Sequence, residues 1–82
     1  MKCKVIYFGL IAEKLAFDSE EIVIEADIFD KSNLELSFKK RHIQLTEMTF
    51  KTAVDGVLTN KIDADNQSQI KEIAILPPFA GG

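Results

Sequence analysis

Three groups in this sequence of 82 residues could take part in chemistry: the thiol of Cys3, the imidazole of His42 and a carboxylate on Gly82. A single cysteine at the start of a strand is more often a small buried hydrophobic residue than a nucleophile. A lone histidine at a helix end is more often a solvated cap than a base or a ligand. The sequence also shows no glycine-rich phosphate loop and no metal-ligand spacing. Catalysis by the chain alone is therefore poorly supported.

The carboxylate is different because the residues before it form an arm. Residues 76–82 read Leu-Pro-Pro-Phe-Ala-Gly-Gly. Proline donates no hydrogen bond and fixes φ, so the pair ends the preceding strand, and the glycines give the backbone close access to narrow channels. We expect a folded domain over residues 1–76 and an extended tail over residues 77–82, mobile in isolation and reaching ~20 Å. The alternative is a frayed or vector-derived end.

Composition restricts the classes of function. Hydrophobic residues make up 46% and charged residues 28%, which is typical of a soluble globular domain. The net charge of −3 argues against nucleic acid and anionic membranes as partners. One cysteine excludes an internal disulfide and a multi-cysteine metal site. With no signal peptide and no apolar run of ~18 residues, a cytoplasmic location is expected.

The hydrophobic pattern predicts an α+β domain with one sheet packed on one main helix. The predicted elements are a strand over 2–8, a short helix over 10–16, a turn at 18–19, a strand over 21–25, a main helix from Ser32, an Asp55-Gly56 hairpin and a strand over 70–76. In the last strand, Ile73 and Ile75 share one face. Residues 61–69 are polar, with Ile62 as their anchor.

Helix caps and buried stripes follow from spacing. Ser32 precedes Glu35 by three residues, which predicts a capping box. Leu34 and Phe38 form the buried stripe of the main helix. The basic run 39–42 is either an anion-binding patch or a complement to the helix dipole, and the acidic domain favours the dipole.

Two shorter segments also contribute to the predicted core. On the short helix, Leu10, Ile11 and Leu15 are expected to face inward. In the loop after the main helix, either Ile43 or Leu45 reaches the core.

Some apolar residues are predicted to face outward. By the period of two, Ile6 and Phe8 share the face of the first strand that begins with Lys2 and Lys4. Leu76 takes the corresponding place on the last strand. Apolar side chains on a face that the lysines assign to solvent suggest a surface for binding a partner protein, unless a loop or neighbouring side chains cover them.

A partner can activate a terminal carboxylate. Coupling it to AMP creates a leaving group, which a persulfide can displace to leave a thiocarboxylate. Such covalent carriage needs a C-terminal glycine, a flexible arm and a docking face.

Three segments of the sequence together resemble a known family. Phe8 with the short helix after it, the Ala-Val-Asp-Gly hairpin at 53–56 and the Ile-Leu-Pro-Pro-Phe-Ala-Gly-Gly ending at 75–82 resemble the small subunit of molybdopterin synthase. Members of that family are ubiquitin-like β-grasp proteins that carry sulfur as a C-terminal thiocarboxylate for molybdenum cofactor biosynthesis. Residues 66–69 depart from the Gly-Asp turn common in the family.

The resemblance implies partners and roles. An adenylyltransferase related to ubiquitin-activating enzymes would charge Gly82 with ATP, and a sulfur donor protein would convert it to the thiocarboxylate. The large subunit would supply the active site for sulfur transfer to cyclic pyranopterin monophosphate, in a heterotetramer of two small and two large subunits. This chain would bind no cofactor itself. The implied arm comprises Pro78, Phe79, Ala80 and Gly81, and the implied docking patch Phe8, Leu58 and Leu76.

Three other functions remain open. A sulfur carrier for thiamine thiazole synthesis shares the fold and the Gly-Gly end, although such chains tend to be shorter and usually lack the double proline. A protein modifier would be conjugated to lysines through Gly82. A β-grasp interaction module would use neither glycine chemically, since a fold alone does not define a function.

Overall fold

The computed structural model describes residues 2–23, 32–62 and 70–78. In these residues the chain forms five strands, two α-helices and one 3₁₀ helix. They are β1 (Lys2–Tyr7), α1 (Leu10–Leu15), β2 (Ser19–Val23), α2 (Leu34–Arg41), the 3₁₀ helix (Ile43–Leu45), β3 (Lys51–Val54), β4 (Val57–Leu58) and β5 (Glu72–Leu76). The predicted order of elements is confirmed. Ser19 already belongs to β2 instead of the predicted turn, and residues 24–25 of the strand predicted over 21–25 lie outside the described residues.

The five strands form one mixed sheet in the order β2-β1-β5-β3-β4. β1 pairs with β2 in antiparallel and with β5 in parallel orientation. β3 lies antiparallel to both β5 and β4. The first and last strands of the domain are therefore neighbours at the centre of the sheet.

One face of the sheet packs against α2 to make the core. Cys3, Val5 and Tyr7 of β1 are buried in alternation with exposed or half-buried neighbours, as the period of two requires. The predicted stripe of α2, Leu34 and Phe38, is completely buried. Ile73 and Ile75 of β5, together with Leu45 and Ile62, complete this layer. The predicted α+β architecture of one sheet on one main helix is confirmed.

The turn between β1 and α1 explains one wrong prediction. Gly9 has φ 57° and ψ −133°, and Ile11 N donates to Phe8 O at 3.2 Å. This is a type II′ turn, which favours glycine at its first central position. The helix α1 begins within this turn, at Leu10, and its buried residues are Ile11 and Leu15. Leu10 is 59% exposed, so its predicted inward orientation is wrong.

The start of α2 lies one residue later than predicted. Asn33, not Ser32, is the N-cap, and its side chain accepts from Leu36 N at 3.1 Å. A distant residue supplies the next acceptors: Asn60 O binds Leu34 N at 2.8 Å, and Asn60 Oδ1 binds Glu35 N at 2.7 Å. This long-range contact provides hydrogen-bond acceptors for backbone N–H groups of the first turn that a capping box at Ser32 would have left without acceptors.

The Asp55-Gly56 hairpin forms as predicted. Both turn residues have positive φ, 48° and 86°, and Val54 pairs with Val57 across the turn. The carboxylate of Asp55 also accepts from Lys71 N and Glu72 N, at 3.1 and 2.9 Å. The hairpin is thereby attached to the start of β5.

The loop after α2 settles which of two residues enters the core. Leu45 of the 3₁₀ helix is completely buried, whereas Ile43 is 81% exposed. Ile62 is buried, which confirms its predicted role as an anchor. The remainder of the polar segment, residues 63–69, lies outside the described residues.

Candidate functional site

The face of the sheet opposite α2 carries a contiguous apolar surface. We call it the outer patch and define it by Ile6, Phe8, Leu58, Ala74 and Leu76. Residues paired across neighbouring strands project on the same side of a sheet. The strand register aligns Ile6 with Ala74, Ala74 with Ala53, and Ala53 with Leu58. One row of the outer face therefore crosses four strands, and in it Ala53, which lies between Ala74 and Leu58, is buried.

A second row of the patch lies at the end of β5. Phe8 follows β1 directly and donates its N–H to Ile75 O at 3.1 Å, which places it beside Leu76. Lys51 of β3 pairs with Leu76 on the other side. The outward orientation predicted for Phe8 and Leu76 is confirmed, because Phe8 is 43% exposed and Leu76 is half-buried.

Leu58 completes the patch on the edge strand. It is 62% exposed and borders an open groove of about 340 Å³ between β3, β4 and the start of α2. Ile6 is half-buried, so neighbouring side chains cover it only in part. The three residues that the family resemblance assigned to docking, Phe8, Leu58 and Leu76, therefore share one face of the sheet.

Charged residues lie on the outer face near the start of β1, at the end of the strand away from Phe8. Lys4 pairs with Glu21 of β2 and with Glu72 of β5 on the same outer face. The outer face thus changes along β1 from charged to apolar. Apolar groups bordered by charged groups on a sheet face are compatible with a protein interface.

The root of the tail lies directly beside the outer patch. β5 ends at Leu76, and Pro77 and Pro78 follow outside the strand, as predicted. A Cβ added to Gly9 would lie 3.2 Å from Pro77 Cγ, so the β1–α1 turn contacts the first residue of the tail. The rest of the predicted arm, Phe79, Ala80, Gly81 and Gly82, lies outside the described residues. The roles and the mobility predicted for these residues therefore stay predictions.

A cluster around Glu20 joins β2 to the end of α2. Glu20 Oε1 accepts from Arg41 Nη2 at 2.8 Å and from Arg41 Nε at 3.2 Å. Glu20 Oε2 accepts from the Tyr7 hydroxyl and contacts His42 Nε2. Phe17 packs edge-on against both Tyr7 and His42, with ring centroids 5.6 and 5.5 Å apart.

This cluster changes the interpretation of the basic run. His42 is the C-cap of α2, and its N–H binds Phe38 O, but its side chain is only 15% exposed. The predicted solvated histidine is therefore wrong, because Glu20 and the aromatic rings enclose it. Arg41 is used in an internal ion pair, and Lys39 lies 3.4 Å from Glu35. The run is thus mostly engaged within the fold, which agrees with the preference against an anion patch.

The charges in this cluster shift its pKa values. Burial by itself would raise the pKa of Glu20, but hydrogen bonds from Arg41, Tyr7 and His42 outweigh burial and lower it to about 2. Burial and the hydrogen bond to Glu20 raise the pKa of Tyr7 far above its usual range. The hydrogen bond to Glu20 raises the pKa of Arg41. The charged forms of Glu20 and Arg41 are the stable ones, which is the behaviour of a structural ion pair.

Cys3 is buried, as the sequence predicted. Burial, followed by the charges of Asp55 and Glu72, raises the pKa of its thiol to about 11. A thiol of this kind is almost entirely protonated at neutral pH, and only the thiolate is a good nucleophile. Cys3 therefore serves as a core residue.

Two features of the described residues bear on other classes of function. In residues 2–23, 32–62 and 70–78, no three His, Cys, Asp or Glu side chains are grouped so that they could hold a metal ion. Within the same residues, no helix has the length and apolar character needed to cross a membrane.

The fold defines a class of protein. A five-stranded mixed sheet with parallel central strands, one main helix across one face and a hairpin at one edge is the ubiquitin-like β-grasp fold. Comparison with solved structures gives a match to a Pyrococcus furiosus protein provisionally described as molybdopterin converting factor, subunit 1. The TM-score is 0.66 at 22% sequence identity, over 95% of this chain and 98% of the other.

No protein-family model matches the sequence, and no curated protein does. At 22% identity the structural match concerns the fold, and it confirms the β-grasp architecture that the sequence resemblance implied.

Proposed function

We propose that this protein is a sulfur carrier and serves as the small subunit of a molybdopterin synthase. One observation carries the proposal. The exposed outer patch ends at Phe8 and Leu76, directly beside the prolines that begin the Pro-Pro-Phe-Ala-Gly-Gly segment. A partner that covered the patch would therefore receive the tail at its edge. The structural neighbour described as a molybdopterin converting factor subunit supports the same proposal.

The chemistry would take place on Gly82. Its carboxylate attacks the α-phosphate of ATP in the site of an adenylyltransferase, which forms the acyl adenylate and releases pyrophosphate. A persulfide on a sulfur donor protein then attacks the acyl carbon, and AMP leaves. A second thiol cleaves the resulting acyl disulfide, so that a thiocarboxylate remains on Gly82 and the donor is left as a disulfide. Together, these covalent intermediates divide one difficult transfer of sulfur into several easier steps.

In the last step the tail would enter the active site of the large subunit. There the thiocarboxylate would donate its sulfur to cyclic pyranopterin monophosphate to form the dithiolene of molybdopterin. The outer patch would bind the large subunit, and two copies of each subunit would form a heterotetramer in the cytoplasm. This chain provides the sulfur-bearing group and the docking surface, and ATP is bound by the activating partner.

Intact mass spectrometry tests the carrier chemistry. The purified protein is incubated with ATP, a cognate adenylyltransferase and a sulfur source. We expect a gain of ~16 Da, because sulfur replaces oxygen in the carboxylate. The same measurement on untreated protein from cells establishes whether Gly82 is the terminal residue. If the mass does not increase with the cognate partner, the carrier function is wrong.

A truncated chain provides the matched control. Deleting Gly82 leaves the domain of residues 1–76 unchanged, so the variant should fold with the stability of the wild type. It should gain no mass, and a strain that depends on this protein should lose molybdoenzyme activity. Retained molybdoenzyme activity without Gly82 would contradict the proposal. If the ~16 Da gain occurs but the strain instead requires thiamine, the carrier belongs to thiazole synthesis.

A further inference from the structure

Lys4 and Lys51 lie on the outer face of the sheet in different electrostatic surroundings. Lys4 of β1 faces Glu21 on one neighbouring strand and Glu72 on the other. Lys51, the first residue of β3, faces Leu76 of β5 instead, and it is exposed. Within the part of the chain that the structure describes, no carboxylate forms an ion pair with Lys51. Lys51 is therefore a cation at the border of the outer patch to which the described fold gives no counter-charge.

Lys51 also lines the open groove of about 340 Å³ that Leu58 borders. Phe50 and Thr52 line the same groove and are buried, so they form its floor. Leu58 belongs to the outer patch, and Lys51 faces another member of the patch, Leu76. The groove and the outer patch therefore form one continuous surface, and Lys51 lies where they meet.

The other polar side chains of the groove are engaged within the fold. Each of Glu35, Thr52, Thr59 and Asn60 forms a hydrogen bond or an ion pair with another residue of the domain. For example, Glu35 Oε2 lies 3.4 Å from Lys39 Nζ, and Asn60 Nδ2 donates to Asn33 Oδ1 at 3.0 Å. Among the described residues that line the groove, the ammonium of Lys51 is the charged group left for a ligand. Its natural ligand is a carboxylate, because opposite charges attract strongly where a partner excludes water.

We infer that the groove receives an acidic segment of the large subunit and that Lys51 binds a carboxylate of this segment. The inference rests on the proposed function and adds the chemistry of the docking partner to it. The structural neighbour is described as one subunit of a factor, so a second subunit is the partner to which we assign the segment. An ion pair at the rim of an interface fixes its register and speeds association. The net charge of this chain is −3, which repels an acidic segment, so an unpaired lysine selects where the segment binds.

Charge reversal at Lys51 tests the inference in the full-length chain. Isothermal titration calorimetry with the cognate large subunit should show that Lys51→Glu raises Kd about tenfold at low salt. The effect should shrink at ~0.5 M NaCl, because salt screens charges at the rim. Lys51→Arg keeps the positive charge and should bind like the wild type. Since Lys51 is exposed, both variants should fold with unchanged stability.

The matched control is Lys40→Glu, which changes the net charge by the same amount. Lys40 is exposed on α2, and α2 packs on the face of the sheet opposite the outer patch. This variant should change Kd less than about twofold. An unchanged affinity of Lys51→Glu, or an equal loss in Lys40→Glu, would overturn the inference.

Carbodiimide cross-linking of the complex provides a second measurement. The reagent condenses a lysine amine with a neighbouring carboxylate to an amide and takes up the water itself to become a urea. We expect an amide between Lys51 and an Asp or Glu side chain of the large subunit, located by mass spectrometry of the digested product. Lys51→Arg should bind without giving this product. A saturated wild-type complex that yields no Lys51 cross-link would contradict the ion pair.

The same experiments separate this inference from the proposed function. If Lys51→Glu gains ~16 Da and binds the large subunit like the wild type, the carrier chemistry stands and the inference is wrong. If the wild type binds through Lys51 but never gains ~16 Da, the docking inference stands and the carrier chemistry fails. If Lys51→Glu binds the large subunit normally but is adenylated more slowly, the acidic segment belongs to the activating enzyme, and its assignment to the large subunit is wrong.

Discussion

Tyr7 donates its hydroxyl hydrogen to Glu20, which joins the core side of β1 to β2. The same carboxylate accepts from Arg41 through its other oxygen. An acid at the edge of the core is thereby satisfied on both oxygens, and it fixes the end of α2 against the sheet. Partly buried charges contribute to stability only when they are paired and hydrogen-bonded in this way.

The first prediction concerns Glu20→Gln. The amide keeps the size of the side chain but removes the charge that Arg41 pairs with, and its NH₂ group cannot accept hydrogen bonds. We expect the free energy of unfolding to fall by about 2 kcal/mol, the range for hydrogen bonds to charged groups. Urea denaturation of the wild type and the variant measures this difference in the free energy of unfolding. Glu21→Gln is the matched control, because the neighbouring Glu21 is exposed, and it should change stability by less than about 0.5 kcal/mol. Equal effects of the two variants would refute the role given to Glu20.

The second prediction concerns acid stability. The pKa of Glu20 falls from 4.5 to about 2 on folding, so the unfolded state binds the proton more readily. The stabilisation is essentially complete above pH ~4.5 and is lost progressively as the pH falls towards 2. Wild type and Glu20→Gln should therefore converge in unfolding free energy between pH 5 and pH 2. A difference that stays constant over this range would show that the pKa of Glu20 is not lowered.

The third prediction concerns Leu58→Asp. Because Leu58 is 62% exposed on the edge strand, the variant should fold with nearly unchanged stability. A charge in the outer patch should still weaken binding to the large subunit at least tenfold, as measured by isothermal titration calorimetry. The control is Ile43→Asp, since Ile43 is 81% exposed on the 3₁₀ helix and should leave binding unchanged. If Leu58→Asp binds with the affinity of the wild type, Leu58 is not part of the docking surface.

The fourth prediction concerns Cys3. A pKa of about 11, against 9.0 when unfolded, reduces the thiolate fraction about 100-fold near neutral pH. Native protein at pH 8 should therefore react with iodoacetamide at least 100-fold more slowly than protein in urea, as followed by mass. Rapid labelling of the native protein would show an accessible thiolate and would reopen a nucleophilic role.

Local patterns were enough to predict most of the sheet and its outer face. Alternation alone placed Ile6 and Phe8 outward, since the side-chain period of a strand does not depend on its neighbours. Asp55-Gly56 defined the hairpin because few other residues accept two positive φ angles. Leu58 was different: it entered the predicted patch through the family resemblance, and the strand register then placed it on the same face.

The missed features depend on contacts between distant residues. Glu20 was not assigned to a strand, and its partners at Arg41 and His42 are more than twenty residues away. The cap of α2 moved to Asn33 because Asn60 supplies acceptors from beyond the helix. Such pairings follow from the packing of elements, and no local spacing encodes them.

The parallel pairing of β1 with β5 also bears on how the protein is made. β1 is synthesised first and β5 last among the five strands, yet they are central neighbours. A nascent chain that lacks residues 72–76 would have an open gap between β1 and β3, with no template to close the core. Folding must wait for contacts that span nearly the whole sequence, which is a slow class of topology. A prematurely terminated chain without β5 would therefore lack Ala74 and Leu76 and could not form the outer patch.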